Sequence, residues 1–559
     1  VRTPKRHIYT ADCETDPFLF GRVPLPFLWV LYDGKTNWQF RTTEAFVAHT
    51  KKLCGLCYVH NGGRFDFAYL WPHIHESTPM RIIHGRVVSF QLGKMEFRDS
   101  YAILPIALAQ YNKDEIDYTK LEADRREDNA DEIARYCVSD CANLYALVMV
   151  FRATHGDALT LAGASFRWWR KHCLDKGKVY TSTPHFYNIF RPYFRGGRCE
   201  AFRVGEIKEP FEGYDINSAY PFAMTQKLPW YGIEYRSSLA GLTDDEIARA
   251  FIRLECCSNG ALPTTDKDGV THYNHDATSH EYTITGHEYL AGIATETITC
   301  DRIREVIALR ETIDFADFVE HWHARKQDAK RAGDKGAYWI AKLVLNSLYG
   351  KFATNPEHYR NYSVWPAALA GEIQRHGSTI HGFLNEEYVL VSDPTPEEER
   401  QYYNLATAAS ITGFVRAYLW RSLCASATPI YCDTDCIFAS RVVVPKGKEL
   451  GEWDSCGKFS YGAVAGKKLY AFKDAKGAWK TAAKGVRLEP TEIIQLARGE
   501  TVTYRQAAPV FGILRGNPGA EKRENNLRLW LTRSLSGCRL VVNKEETTDA
   551  KTGKRRNRI

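Results

Sequence analysis

Long apolar runs are missing from this sequence. The best, Leu144–Phe151, stops at eight residues, far short of the ~18 needed to cross a bilayer. The basic N-terminal stretch, VRTPKRHIYTADCE, has no apolar core behind its charges, so no secretory signal is visible. Internal repeats and long low-complexity stretches are absent too. A second CxxC is also lacking: Cys54 and Cys57 have no partner pair at zinc-finger spacing, which argues against a structural zinc site. The 15 cysteines are an odd number without regular framing, so most thiols are expected to be free. What is present suits a soluble intracellular protein, with 44% hydrophobic and 25% charged residues, and excludes wholesale disorder and collagen-like repeats. The 559 residues suggest roughly three or four globular units of ~150 residues. A net charge of +7 supports nucleic-acid binding only weakly by itself. Lys551, Lys554, Arg555, Arg556 and Arg558 make the end of the chain polycationic, as either a solvated tail or a DNA contact.

Periodicity organises the rest. Strands run into Ala11–Glu14 and Tyr58–His60, a third is Met95–Asp99, and a helix covers about Glu132–Phe151. Turns surround Phe194–Arg198 before a strand leading into Tyr214–Ile216. Residues 226–315 are mixed, with loop-like polar stretches such as Thr264–His280. A helical hairpin follows, about Ala316–Ala332 and Ala337–Tyr349, broken at Gly333-Asp334-Lys335-Gly336. Residues 355–402 read as polar and irregular, a helix covers about Ala406–Ala425, and a hairpin surrounds Asp433. The region after 490 reads as helix-rich and positively charged.

Two carboxylate clusters carry chemistry. In the first, Asp12 and Glu14 are spaced i, i+2 on a strand and leave the same face. Asn61, Phe65 and Asp66 lie in HNGGRFD, where a strand ends in a glycine-containing turn. Tyr136 and Asp140, in YCVSD, share a helix face at i, i+4. Each piece alone is weak, since DxE arises by chance and a helical YxxxD is usually an exposed pair. If the three elements pack together, four carboxylates converge, and such a site calls for cations. Two divalent metals about 4 Å apart can activate a water and stabilise the leaving oxygen of a phosphodiester. The set resembles the DEDDy-type 3′–5′ proofreading exonuclease of family B DNA polymerases. That resemblance implies metal ligation by Asp12, Glu14, Asp66 and Asp140, water positioning by Tyr136, and single-strand contacts from Asn61 and Phe65. FRDSYAILP (97–105) looks like the family's strand-binding motif, with Ser100 in place, and KDEIDYTK would supply Lys113 near the scissile phosphate.

In the second cluster, YDINSAYP (214–221) puts Asp215 at a strand end, with Ser218 and Tyr220 in the turn and helix start that follow. YCDTDC (431–436) puts Asp433 and Asp435 at the tip of an apolar hairpin. Alone, these are hydrophilic turns, where Asp and Thr are common. Between them, Lys342, Asn346 and Tyr349 of KLVLNSLYGKF share one helix face. The ordered set resembles motifs A, B and C of family B DNA polymerases, and KKLY (467–470) matches that family's KxY motif at Lys468 and Tyr470, a pair implied to contact DNA. The resemblance implies two Mg²⁺ (or Mn²⁺) ions per active site, here on Asp215 and Asp433 with Asp435 in support. Lys342, with Lys330 from the preceding helix, would hold the incoming triphosphate, and Tyr220 would exclude a 2′-hydroxyl. Asn346 and Tyr349 would line the nascent base pair, and Lys468 would hold the primer terminus. Two positions depart from the family: Cys436 stands where serine is common, and Phe194 replaces the tyrosine of a YxGG motif that continues in Gly196 and Gly197. That motif is implied to coordinate strand transfer between the two sites.

The stretches from Asp215 to Lys342 and from Gly350 to Asp433 are longer than a palm and a short fingers hairpin need. The surplus resembles the two terminal-protein-region insertions of protein-primed replicases from phages and linear plasmids, close to the tectivirus and small-podophage group. The implied fold is α/β and α+β multidomain: an RNase H-like 3′–5′ exonuclease domain (1–158), a right-hand palm (159–225 and 403–489), insertions (226–315 and 355–402), fingers (316–354), and a thumb with basic tail (490–559). The implied function is template-directed DNA synthesis that starts on a terminal protein and copies a linear genome, with proofreading and strand displacement. The implied partners are DNA template and primer, dNTPs and the terminal protein, with no membrane, for a monomer or a heterodimer with that protein in the cytoplasm of a bacterial host. Two readings stay open: a family member using ordinary or self-made primers, and a nuclease only.

Overall fold

The computed structural model describes residues 6–17, 24–75, 78–83, 85–112, 114–174, 182–267, 269–484, 486, 488–506, 523–527, 529–532 and 539–542. Lys113 and the basic tail lie outside these residues. Near the N-terminus, seven strands form one sheet in the order Asn37–Phe40, Pro26–Tyr32, Ile8–Thr15, Cys54–Val59, Lys94–Asp99, Arg86–Leu92, Met80–Ile83. The three central strands are parallel and the outer ones antiparallel. Near-continuous burial along Ile8–Thr15 and Cys54–Val59 is what a sheet covered on both faces requires. The helix Ala130–His155 packs on Ile8–Thr15 and Pro26–Tyr32. By length and composition it could cross a membrane, but Ile133, Cys137, Cys141, Leu144 and Val148 are buried in the protein core.

A second, eight-stranded sheet runs in the order Trp479–Ala483, Leu469–Asp474, Trp453–Gly466, Phe211–Ile216, Cys436–Arg441, Ala427–Asp433, Cys199–Ala201, with Gly205–Ile207 attached to Trp453–Gly466. Its strands come from separate parts of the chain, so the segments between them leave the sheet as excursions. The helix Leu405–Ala425 is buried along most of its length and meets the short helix Ala219–Met224, the helix Gly286–Ala294 and the helix Lys335–Phe352. The helical hairpin is Ala316–Ala332 and Lys335–Phe352, turned by Gly333 at φ +70° and capped by Asp334, whose side chain accepts from Ala337 N.

Three stretches differ from the sequence expectation. Residues 226–315 contain a four-stranded antiparallel sheet (Ile233–Arg236, Thr299–Leu309, Phe251–Cys257, His280–Thr285), and the loop-like Thr264–His280 includes the small hairpin Pro263–Thr265 with Thr271–Tyr273. Residues 355–402, expected to be irregular, hold the three-stranded sheet Arg360–Pro366, Tyr388–Pro394, Thr379–Phe383 and the helix Ala370–Arg375. The helix covers one face, where Ile373 packs on Val389 and Val391; on the other, Val364, Leu384 and Leu390 join the core of the N-terminal sheet, and Asn385 Nδ2 donates to Trp71 O at 3.0 Å. After 490 the described elements are one helix, Pro490–Ala497, and then strands, among them Val502–Gln506 and Leu529–Thr532. Their β-branched and aromatic residues favour that state.

Candidate active sites

The first site forms where Ile8–Thr15 meets the helix Ala130–His155. Asn61 closes the neighbouring turn at φ +60°. Gly63 there admits no side chain, because a Cβ would meet Val87 O at 2.1 Å and Asp99 Oδ2 at 2.8 Å. The turn delivers Asp66, 3% exposed, as the first residue of the short helix Asp66–His73. Burial pushes its carboxyl up to about 6, with repulsion from Asp99 adding and hydrogen bonding to Cys13 opposing. Burial, then the charges of Asp66, Asp12 and Glu14, raise the Cys13 thiol. Burial and the charges of Asp12, Asp140 and Glu14 likewise raise Cys141. Asp12 and Glu14 therefore act together with Asp66 on Cys13 and together with Asp140 on Cys141. Asp12, Glu14 and Cys137 place ligand atoms within 4.8 Å of one another, and Asp66 and Asp140 stand outside that trio. Burial and a hydrogen bond with Tyr118 raise the Tyr136 hydroxyl, with Asp140 and Glu14 adding.

Ser100 requires a correction. Expected at a DNA surface, it is 0% exposed. Its Oγ bonds His60 Nδ1 at 2.9 Å and Val59 O at 3.3 Å, so it fixes the strand end from inside. Phe65 remains half-buried, edge-on to Tyr69.

In the second site, Asp215 pairs across the sheet with Cys436 on one side and Asp454 on the other. The hairpin turns on Thr434, at φ +62°, and Asp435. Ile216 N donates to Asp435 O at 2.8 Å, which fixes the two acidic strands in register. Burial, then Asp215 and Asp433, pushes the Asp435 carboxyl up to about 7. Asp215 reaches solvent but is partly desolvated by its surroundings, which raises it; Asp454 adds to this, while Lys480 and Lys342 pull it back. A carboxyl whose ionisation is resisted by two neighbouring acids marks a donor set suited to divalent cations. Lys468 already answers this field, with Nζ 2.6 Å from both oxygens of Asp433. Burial disfavours that ammonium, but Asp433 holds its proton above the ordinary lysine range.

The helical hairpin faces these acids. Lys342 Nζ lies 4.7 Å over the Trp339 ring, and Asn346 Nδ2 donates to Lys342 O at 2.7 Å, which fixes the amide along its helix. Tyr349 stacks on Tyr220 with centroids 4.1 Å apart and planes at 22°. Burial, with Tyr349 beside it, raises the Tyr220 hydroxyl. Lys326, not singled out from the sequence, donates to Ser218 Oγ at 3.3 Å. Burial and the charges of Lys342 and Lys330 lower its pKa, the mark of ammonium groups crowded for an anion. Its i, i+4 spacing from the exposed Lys330 was the available signal.

The FRGGR loop rests on the acidic hairpin. A Cβ on Gly197 would meet Thr434 at 2.8 Å, and Thr434 N donates to Arg198 O at 2.6 Å. Arg416, also missed from the sequence, holds the loop: it donates to the carbonyls of Arg195 and Gly196 at 2.7 Å each and to Glu288 Oε1 at 2.8 Å. Phe194 is half-buried against the core, while Gly196 faces open space. Tyr470 is 8% exposed and stacks on Phe472 at 4.4 Å, so its ring packs the core of this sheet instead of offering a surface to DNA.

The chain as a whole has counterparts among known proteins. The family model for DNA polymerase type B, organellar and viral, matches residues 107–417. The DNA-directed DNA polymerase of Enterobacteria phage PRD1 is 36% identical over 496 residues, covering 87% of this chain and 86% of that protein. The DNA polymerase of Bacillus phage PZA is 24% identical, over 80% and 84% of the two chains. Phi29 DNA polymerase complexed with primer-template DNA and incoming nucleotide substrates shares the fold, an exonuclease unit with palm, fingers and thumb, at a TM-score of 0.67 and 17% identity over 90% of this chain and 96% of that one. The chain belongs to the organellar and viral type B DNA polymerases.

Proposed function

We propose that this enzyme synthesises DNA on a template, starts on a terminal protein, copies a linear double-stranded genome in the cytoplasm of a bacterial host, and proofreads with a 3′–5′ exonuclease. The observation that carries the polymerase reading is the register of Asp215 beside the Asp433–Asp435 turn, facing a helical hairpin with three neighbouring lysines. Divalent ions, Mg²⁺ or Mn²⁺ and two per site, would lower the pKa of the attacking hydroxyl and neutralise the departing phosphates. Asp215 and Asp433 hold them, and Asp435 supports the second carboxylate site. Lys342, Lys326 and Lys330 bind the triphosphate oxygens. Tyr220, braced by Tyr349, lies under the sugar and leaves no room for a 2′-hydroxyl. Asn346 and Tyr349 border the new base pair, and Lys468 exchanges Asp433 for the primer terminus. In the exonuclease, Asp12, Glu14, Asp66 and Asp140 are the ligands, Tyr136 orients the attacking water, and Asn61 and Phe65 touch the single strand.

Protein priming draws its support from the sheet in residues 226–315, extra surface beside the palm. Arg304 pairs with Glu255 there and Glu305 bonds Tyr193, whereas Arg302 is exposed and suits a releasable polar interface. The test uses the full chain, the purified product of a neighbouring gene, genome-end DNA and Mg²⁺. A covalent protein–deoxynucleotide adduct that requires Asp215 and Asp433, and falls in Arg302→Glu while DNA-primer extension persists, supports the reading. Efficient extension of DNA primers with no adduct on any partner favours ordinary primers.

A further inference from the structure

Cys137 follows Tyr136 on the helix Ala130–His155, and neither catalytic reading gives its thiol a task. Its sulfur is 3.9 Å from Asp12 Oδ2 and 3.8 Å from the Asp12 carbonyl oxygen. Among the described residues, Asp12, Glu14 and Cys137 form the trio whose ligand atoms all lie within 4.8 Å of one another. Oxygen and sulfur donors around a tetrahedral ion stand about 3.3–3.7 Å apart, so a shift of about an ångström closes this set on a cation. Two carboxylates come from the strand and the sulfur from the helix packed on it, which fixes their approach independently of any ligand. Cys141, one turn on, donates to Val30 O at 3.8 Å and shares a buried cluster with Cys137.

We propose that Cys137 gives the exonuclease centre a sulfur ligand for thiophilic divalent cations, so that Zn²⁺, Co²⁺ or Cd²⁺ bind on Asp12, Glu14 and Cys137 while Mg²⁺ uses oxygen ligands alone. The inference rests on the exonuclease reading of these acids. Hard Mg²⁺ has little affinity for sulfur, whereas thiolate selects softer ions. As the sulfur–metal bond forms, the S–H bond breaks and its proton leaves to solvent, with no change of oxidation state. An ion held this way is drawn toward the helix and away from its catalytic position, so single-strand degradation slows while primer extension continues.

Cobalt titration of the full chain without DNA reads the sulfur bond directly, through the near-ultraviolet thiolate-to-Co²⁺ charge-transfer band. The band is expected to fall by about one thiolate equivalent in Cys137→Ser and in Asp12→Ala, and to persist in Asp433→Ala. Cys137→Ala is the second variant; primer extension, which uses the other centre, checks that the Cys137 and Asp12 variants fold, and degradation of single strands in Mg²⁺ checks Asp433→Ala. A band unchanged in both Cys137 variants overturns the proposal, as does equal inhibition of degradation by Zn²⁺ with and without the thiol. The exonuclease reading fails separately, if Mg²⁺-dependent degradation survives Asp12→Ala and Asp66→Ala.

Discussion

Tyr220 and Lys326 show what single side chains contribute. The Tyr220 ring is held by its stack on Tyr349, so a gate against the 2′-hydroxyl has a rigid support. Tyr220→Val should narrow the preference for deoxy- over ribonucleotides in kcat/KM by roughly ten-fold or more, the scale of losing one steric contact worth 1–3 kcal/mol. Unchanged discrimination would make Tyr220 a packing residue. Lys326 is pressed against Ser218 and crowded by Lys342 and Lys330, an arrangement that relaxes when phosphate arrives. Lys326→Ala should raise KM for dNTPs about ten-fold with a smaller effect on degradation of single strands, measured by steady-state extension beside an exonuclease assay. Asp12 with Glu14 and Asp433 with Asp435 were legible as neighbours, because i, i+2 strand spacing and a two-residue hairpin turn join each pair. Lys326 and Arg416 were not, since their partners Ser218 and Glu288 lie 108 and 128 positions away. Ser100 was misread for the same reason: burial is a property of what packs over a residue, and FRDSY does not contain it.

At the scale of elements, the helices and central strands followed from periodicity, while the two insertions did not. In the second, only the central strand is continuously apolar, at Val389, Leu390 and Val391, and its neighbours are short and partly exposed, so the run is too brief to read as a sheet. The stretch 226–315 is joined to the palm sheet and its helix by the buried pair of Arg416 with Glu288 and by Arg198, whose Nη1 donates to Gly260 O at 2.9 Å. Glu288→Ala leaves the Arg416 charge uncompensated and should cost about 3–5 kcal/mol, read as a lower melting temperature. Burial alone would raise the Glu288 carboxyl, but Arg416 holds it below its usual 4.5. A depressed carboxylate stabilises the fold above its unfolded pKa and loses that contribution as pH falls through the folded value. Melting of the unaltered chain should therefore drop below about pH 4.5, and Glu288→Gln should flatten that drop. A Glu288→Gln profile that overlays the unaltered one would remove this pair from the acid response.

At the scale of the whole molecule, the largest apolar cluster among the described residues crosses unit boundaries. It runs from Ile8 and Leu144 at the N-terminal sheet through Leu345 of the helical hairpin and Ile252 of the four-stranded sheet to Trp453 of the eight-stranded sheet. The second insertion closes the other side, with Leu384 and Leu390 in the exonuclease core. If DNA passes beneath the bridge this contact makes, the bridge should help to hold it without a separate clamp. Leu384→Asp would bury a carboxylate at the bridge, at a cost of several kcal/mol, and undock it. Primer extension with a trap against rebinding should then give shorter products and stall at duplex ahead of the primer, and full-length products would make the bridge dispensable.

Two catalytic centres on two sheets is the central claim, and paired substitution tests it most directly. Asp433→Ala and Asp66→Ala, each checked for folding, are assayed for primer extension and for 3′–5′ degradation of single strands in Mg²⁺. Losing a ligand of one centre removes several kcal/mol of transition-state stabilisation there, a fall of about 10³-fold or more. Asp433→Ala should lose extension and keep degradation, and Asp66→Ala should do the reverse. Equal loss of both activities in either folded variant would contradict the account.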